Sequence, residues 1–236
     1  MTQRLFKSMS IAIKSIAFNA RSYWALAIIY LILMGSVLSG CALPDKPTRA
    51  SMYDFGPGPL ATVPATRQAP LPPLAIDDIS TAGGALDNMA VLYRLGYADD
   101  QQLRPYSKAR WSMPPPQLVR QRLREQLSQR RAVFNARESV ALNRSQSSAL
   151  PLLLRLQLEE FSQLFSTPDT SVGLIRLRAT LVELTPAGEK LLGQRSVVVQ
   201  RPAPSADASG GVRALTAATD AAIEELDQWL QQVPAR

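Results

Sequence analysis

The chain contains no histidine and a single cysteine, Cys41. Without histidine, neither a Ser-His-Asp nor a Cys-His nucleophile–base pair can be built. Zinc, copper, haem and iron–sulfur sites lose their usual nitrogen and sulfur ligands together. One cysteine cannot close an internal disulfide, so stability has to come from a packed core. A glycine-rich phosphate loop is missing too. Gly83-Gly84 and Gly210-Gly211 lack the residues that would surround such a loop. The last absence is local. The first 40 residues hold Arg4, Lys7, Lys14 and Arg21 but no acidic residue.

That one-sided stretch leads into an uncharged run, Ser22 to Leu38, and then into Leu38-Ser39-Gly40-Cys41. A basic region, an apolar region and a small-residue cleavage site make a secretory signal peptide. Here the site ends in the lone cysteine, which is the pattern of the bacterial lipoprotein signal. Each residue type has a reason. The thiol is the nucleophile that takes a glycerolipid through a thioether, and small Ser39 and Gly40 leave the backbone open to a peptidase in the membrane. An ordinary transmembrane anchor is the alternative, since the run approaches the roughly 20 residues a span needs. The position of the cysteine favours lipidation at Cys41, with several acyl chains giving stable anchoring. The reading divides the chain into a signal peptide over 1–40, a lipidated cysteine and tether over 41–72, and a domain over 73–236.

Composition adds bounds. Residues 41–236 fit one domain plus a tether and can bury a proper core. The whole chain has 26 basic and 19 acidic side chains. Four of the basic ones leave with the signal peptide, so the remainder is only weakly basic. No nucleic-acid partner is inferred from such a balance.

Eight of the 18 prolines fall between Pro44 and Pro73. Proline fixes φ and removes a donor, so this stretch reads as a semi-stiff tether. Met52–Gly56 interrupts it and reads as an added edge strand. Leu74–Ile79, Met89–Arg94 and Leu103–Trp111 are expected strands. Pro114-Pro115-Pro116 opens an amphipathic helix over Gln117–Arg131, with Val119, Leu123 and Leu127 on one stripe. The arginines of its other faces, Arg120, Arg122, Arg124, Arg130 and Arg131, read as a solvated surface, with an acidic partner or lipid head groups as the sharper alternative. Leu152, Leu154, Leu156 and Leu158 alternate with Leu153, Arg155, Gln157 and Glu159, the period of a strand with one buried face. Ile175–Val182 and Leu191–Gln200 do the same around a turn at Thr185–Gly188, which predicts a hairpin. Pro202–Gly211 is expected as a loop and Val212–Val233 as the final helix. Together these predict an α+β fold: a mainly antiparallel or mixed sheet with two amphipathic helices packed on it.

Carboxylates could serve as paired acid and base in glycoside cleavage. Glu159 with Glu160, Glu183 with Glu189, and Glu224, Glu225 and Asp227 are the candidates. Their positions on strands and helix read as surface charge. No catalytic residue, metal site or cofactor is therefore assigned.

The order of features resembles a known family. A lipobox, a proline-rich tether, Tyr53-Asp54-Phe55, Leu92-Tyr93-Arg94, Tyr106 to Trp111, Pro114-Pro115, an amphipathic helix, strands and a C-terminal helix together are similar to the ABC-type transport auxiliary lipoproteins. Phe55 stands where that family usually has leucine. The resemblance implies a non-enzymatic lipoprotein of an intermembrane lipid-transport system. It would be anchored to the periplasmic face of the outer membrane and dock to a periplasmic MCE-domain protein. It also allows a homo-oligomer. Ala42, rather than aspartate, follows the acylated cysteine, which favours the outer membrane. Tyr93, Arg94, Tyr106 and Trp111 are the implied partner-binding candidates. The competing reading is a lipoprotein that activates or anchors a cell-wall synthesis complex.

Overall fold

The computed structural model describes residues 24, 28, 30, 31, 49–58, 71–136, 150–185 and 187–233. Cys41, the lipobox and most of the proline-rich tether lie outside the described residues. The chain divides into two units, Met1–Thr48 and Arg49–Arg236. In the first, Trp24, Ile28, Tyr30 and Leu31 are helical with exposed side chains. Among the described residues no helix is long and apolar enough to cross a membrane.

The second unit is an α+β domain organised on one long strand. β7 (Leu152–Phe165) has a hairpin on one edge and three short strands laid end to end along the other. β2 (Leu74–Ile76), β3 (Ser80–Thr81) and β4 (Ala90–Leu95) pair in parallel with 152–154, 157–158 and 163–165 in turn. The expected strand Leu74–Ile79 is thus cut to Leu74–Ile76, and pairing resumes only beyond it, at Ser80. Asp77 breaks it by turning its carboxylate back on the Asp78 amide, 2.9 Å away, a local bond that competes with the ladder.

β5 (Asp99–Trp111) returns antiparallel to β4. β1 (Ser51–Tyr53) adds a parallel edge to β5 at Ala109–Trp111. β6 (Val133–Asn135), which no periodicity announces, pairs with β2. On the far side of β7, β8 (Ser171–Thr185) and β9 (Gly188–Pro202) complete the sheet as the expected antiparallel hairpin. Gly188, at φ +124°, takes the positive φ its turn requires. The sheet is therefore mixed.

The alternation read in Leu152–Leu158 is real: Leu154, Leu156 and Leu158 are buried. The strand runs further than that reading, because the pairing register slips between Leu158 and Glu160. This bulge shifts the phase, so Phe161, Gln163 and Phe165 take over the buried face.

Two helices cover that face. α1 (Pro115–Leu127) starts at the proline run as expected and buries Leu118, Val119, Leu123 and Leu127. α2 (Ala208–Gln232) packs across β8, β9 and β7, and α1 lies against α2. α2 begins four residues before the expected Val212. Asp207 accepts the Gly210 amide at 2.7 Å and is a full N-cap.

Gly173 allows the layers to close up. A Cβ there would stand 2.5 Å from the α2 backbone at Ala214 and Leu215. One large cluster, from Phe55 to Leu230, fills the space between sheet and helices.

The tether expected over 41–72 has to be shortened. Ser51–Tyr53 pairs with the sheet, and Phe55 is buried at 8% exposure. An aromatic side chain of that size contributes more by packing than the proline-rich composition around it can oppose.

Candidate functional site

The residues carried forward from the sequence fall into two neighbouring places. Trp111 ends β5 and is wholly buried. Its ring meets Phe55 edge-on at 5.7 Å and Phe161 at 5.6 Å. The Tyr53-Asp54-Phe55 segment is locked onto this ring by backbone as well, since the Ser112 amide donates to the Tyr53 carbonyl at 2.7 Å. Trp111 is a core residue that no partner can touch in this fold, which corrects its candidacy as a contact. A 13-residue strand with polar flanks hid this, because only Ala109 and Trp111 of β5 are fully buried.

Tyr93 on β4 and Tyr106 on β5 stack at 4.6 Å, and Phe165 meets Tyr93 at 6.1 Å. The Tyr106 hydroxyl donates to Gln163 Oε1 at 2.8 Å, and Gln163 Nε2 donates to Ser171 Oγ at 2.7 Å. Gln163 is fully buried. Gly211 of α2 makes room for it, since a Cβ there would sit 2.1 Å from Gln163 Oε1. Burial, with help from Tyr93 and Asp207, pushes the Tyr106 phenol well above its ordinary value. It remains a donor at any physiological pH.

Arg94 alternates with Tyr93 and points to the other face of the sheet. It forks onto Glu160, with Nε to Oε1 at 3.2 Å and Nη2 to Oε2 at 2.9 Å. Its remaining nitrogen donates to the carbonyls of Asp100 and Gln101 at 3.1 Å. Ser162 Oγ also donates to Glu160. Two-pronged geometry of this kind fixes orientation as well as charge. It ties β4, β5 and β7 together just beyond the bulge.

The arginines of α1 do not form a solvated face. Arg122 is buried and forks onto Asp220 of α2, at 2.7 and 3.3 Å, while Gln126 donates to the same carboxylate at 2.9 Å. The bond to Asp220 raises the Arg122 pKa further. Arg131 is buried beside Asp227 at 2.7 Å, and that burial lowers its pKa. Arg120 reaches Asp78 at 2.6 Å, and both Arg120 and Arg124 donate to Asn135 of β6. These side chains bolt α1 to α2 and to the sheet. Helical periodicity marked them as off the apolar stripe, but it could not show that acidic residues of α2 come to meet them.

The carboxylates proposed as acid–base pairs are mostly taken. Glu159 pairs with Arg178, Glu160 with Arg94, and Glu183 with Lys190. Glu189 pairs with Arg155, Glu225 with Arg195, and Asp227 with Arg131. The bond from Arg155 holds the Glu189 carboxyl below its usual range. Among the described residues no three potential metal ligands converge. Gln163, Ser171, Asp220 and Gly211 were not singled out by the sequence. A glutamine in a leucine-rich strand and a glycine pair opening a helix were the only signals.

The result is a two-layer α+β module in which most of these polar side chains bond to one another. The chain belongs to the ABC-type transport auxiliary lipoprotein component family, whose model matches residues 53–226. A search of curated proteins finds no match. Among solved structures, a Xanthomonas campestris protein described by the family model DUF330 is 18% identical, with a TM-score of 0.56 over 76% of this chain and 94% of its own. A second, described as an uncharacterized protein, is 13% identical, with a TM-score of 0.51 over 79% and 99%. At these identities the likeness is one of fold. The protein is thus an auxiliary lipoprotein of an ABC-type transport system, located in the cell envelope.

Proposed function

We propose that this protein is a non-enzymatic adaptor of an intermembrane lipid-transport system. Its acyl chains on Cys41 hold it on the periplasmic face of the outer membrane. Its folded unit docks to a periplasmic MCE-domain protein served by an ABC transporter. The observation that carries the reading is the family match over 53–226 laid on a fold whose candidate acid–base side chains are committed to ion pairs. Tyr93, Arg94 and Tyr106 stiffen the β4–β5 corner of the folded unit, with Arg94 and Tyr106 acting through the residues they hold.

The test uses the full-length chain in cells. Isolation of the chain from outer membranes should bring with it the MCE-domain protein encoded beside it. The Cys41→Ser variant should leave the membrane fraction. Retention of that variant in outer membranes, or repeated isolation without an MCE protein, overturns the proposal.

A further inference from the structure

Two outer edges of the sheet, β1 with β5 on one side and β9 on the other, are built differently. β1 covers only Ala109–Trp111 of β5. The uncovered part of β5 carries Arg104, Pro105 and Lys108. Proline within an edge is a usual guard against unwanted strand pairing. The opposite edge is β9, 15 residues long and paired with β8 alone. Its stretch Gln194–Arg201 holds neither a proline nor a register shift. At its centre Val198 is 51% exposed. Among the described residues, only β8 pairs with this strand.

The flanks are furnished as well. Trp229 of α2, partly buried, lies over Gly193, with a ring carbon 3.2 Å from where a Cβ would stand. Beside it Arg195 bonds Glu225 at 2.8 Å. On the open face Arg176, the register neighbour of Val198, has no ion pair among the described residues, and its other neighbour Glu160 is taken by Arg94. Among the described residues Arg201, whose register neighbour is Gly173 on the helix-covered face, donates only to the carbonyl of Gln200. The hairpin's own Glu183 and Glu189 are both occupied. Among the described residues the uncompensated charge along this edge is positive.

We infer that the outer edge of β9, Gln194–Arg201, is a strand-addition site for an extended acidic segment of a partner polypeptide. Main-chain hydrogen bonds would supply the pairing, Arg176 and Arg201 would select for acidic side chains, and the Trp229 ring would seat an apolar one. The inference names a surface for the docking proposed above, but its test does not depend on the partner's identity.

The probe is a ten-residue peptide alternating pairs of glutamates with pairs of threonines, which shows carboxylates on both faces of the added strand, with a lysine-for-glutamate peptide as counterpart, added to the full chain in detergent micelles. The glutamate peptide should bind saturably and at least ten-fold tighter than the lysine peptide at low salt. It should slow amide exchange in Gln194–Arg201 at least ten-fold and leave Arg104–Lys108 unchanged. Arg176→Glu with Arg201→Glu, both surface changes, should invert the preference. Equal binding of the two peptides, protection elsewhere, or a dimer already protecting this edge without peptide overturns the inference. Peptide binding without an MCE partner removes the proposed function and leaves the edge; an MCE complex without peptide binding does the reverse.

Discussion

Gly173→Ala asks whether α2 lies on the sheet as closely as the structure has it. The backbone at Gly173 does not need positive φ, so the cost is steric alone. The new methyl would stand 2.5 Å from the Ala214 carbon and the Leu215 nitrogen, and 2.8 Å from the Ala214 oxygen. These are backbone atoms and cannot swing aside. To restore ordinary contact the helix must rise by somewhat under about 1 Å, a gap that forfeits a quarter to a half of each dispersion contact beneath it. Overpacking of this kind costs about 1–3 kcal/mol. Ala214, Leu215 and Ala218 are all nearly fully buried there, so the upper half of that range is expected, about 2–3 kcal/mol. For a domain of this size that is a fall in Tm of about 4–12 °C. The urea midpoint should fall with the slope unchanged, since the surface exposed on unfolding is the same. Gly83→Ala is the control. Nothing lies within 4 Å of its added Cβ, and a neutral or slightly stabilising effect is expected. A Gly173→Ala protein as stable as the wild type would refute the close helix–sheet contact on which the arrangement of α2 rests.

Asp220→Ala strips the partner from a guanidinium that is 5% exposed, and breaking such a pair costs about 3–5 kcal/mol when both ends are deep. Asp220 itself is one-third exposed, so chemical denaturation should show about 2–3 kcal/mol, and Arg122→Met in the same chain should recover most of it. Tyr106→Phe leaves buried Gln163 without its donor and should cost about 1–2 kcal/mol. It should also change the alkaline limb. Because the folded phenol is raised above about 10, its contribution is complete below that pH and is lost as pH rises toward the folded value. Stability measured from pH 9 to 11.5 should therefore fall less steeply in Tyr106→Phe than in the wild type. Equal slopes would refute the buried environment assigned to Tyr106.

Much of this architecture was legible because it rests on period. Leucines two apart placed β7, and residues three and four apart placed both helices. Thr185–Gly188 placed the hairpin. What escaped detection depends on neighbours distant in sequence. The bulge after Leu158 reverses which face is buried, and no local rule marks it. β6 is three residues long, too short to show a period. Phe55 belongs to the core because Trp111 and Phe161 wait for it, although prolines surround it. The site was half legible. Tyr93, Arg94, Tyr106 and Trp111 do converge on one region, but their partners Glu160, Gln163 and Phe55 came from elsewhere. Arg122 and Arg131 looked like solvent-facing charge because a helical wheel shows only one helix.

The way charge is distributed bears on where this molecule meets others. A buried arginine costs several kcal/mol unless it is fully paired, and two of them, Arg122 in α1 and Arg131 just beyond its end, are each answered by an aspartate on α2. Such pairs fix how two helices sit more surely than they stabilise them. The same economy holds on the open face, where Arg94, Arg155 and Arg178 each have a carboxylate. Arg176 and Arg201, like Arg104 and Lys108 on β5, make no ion pair among the described residues, but only the hairpin sets such charge beside a long strand whose outer edge is unpaired among those residues. The proposed strand addition would use that charge, whereas Arg94 and the Tyr106 hydroxyl already spend their donors on Glu160 and Gln163.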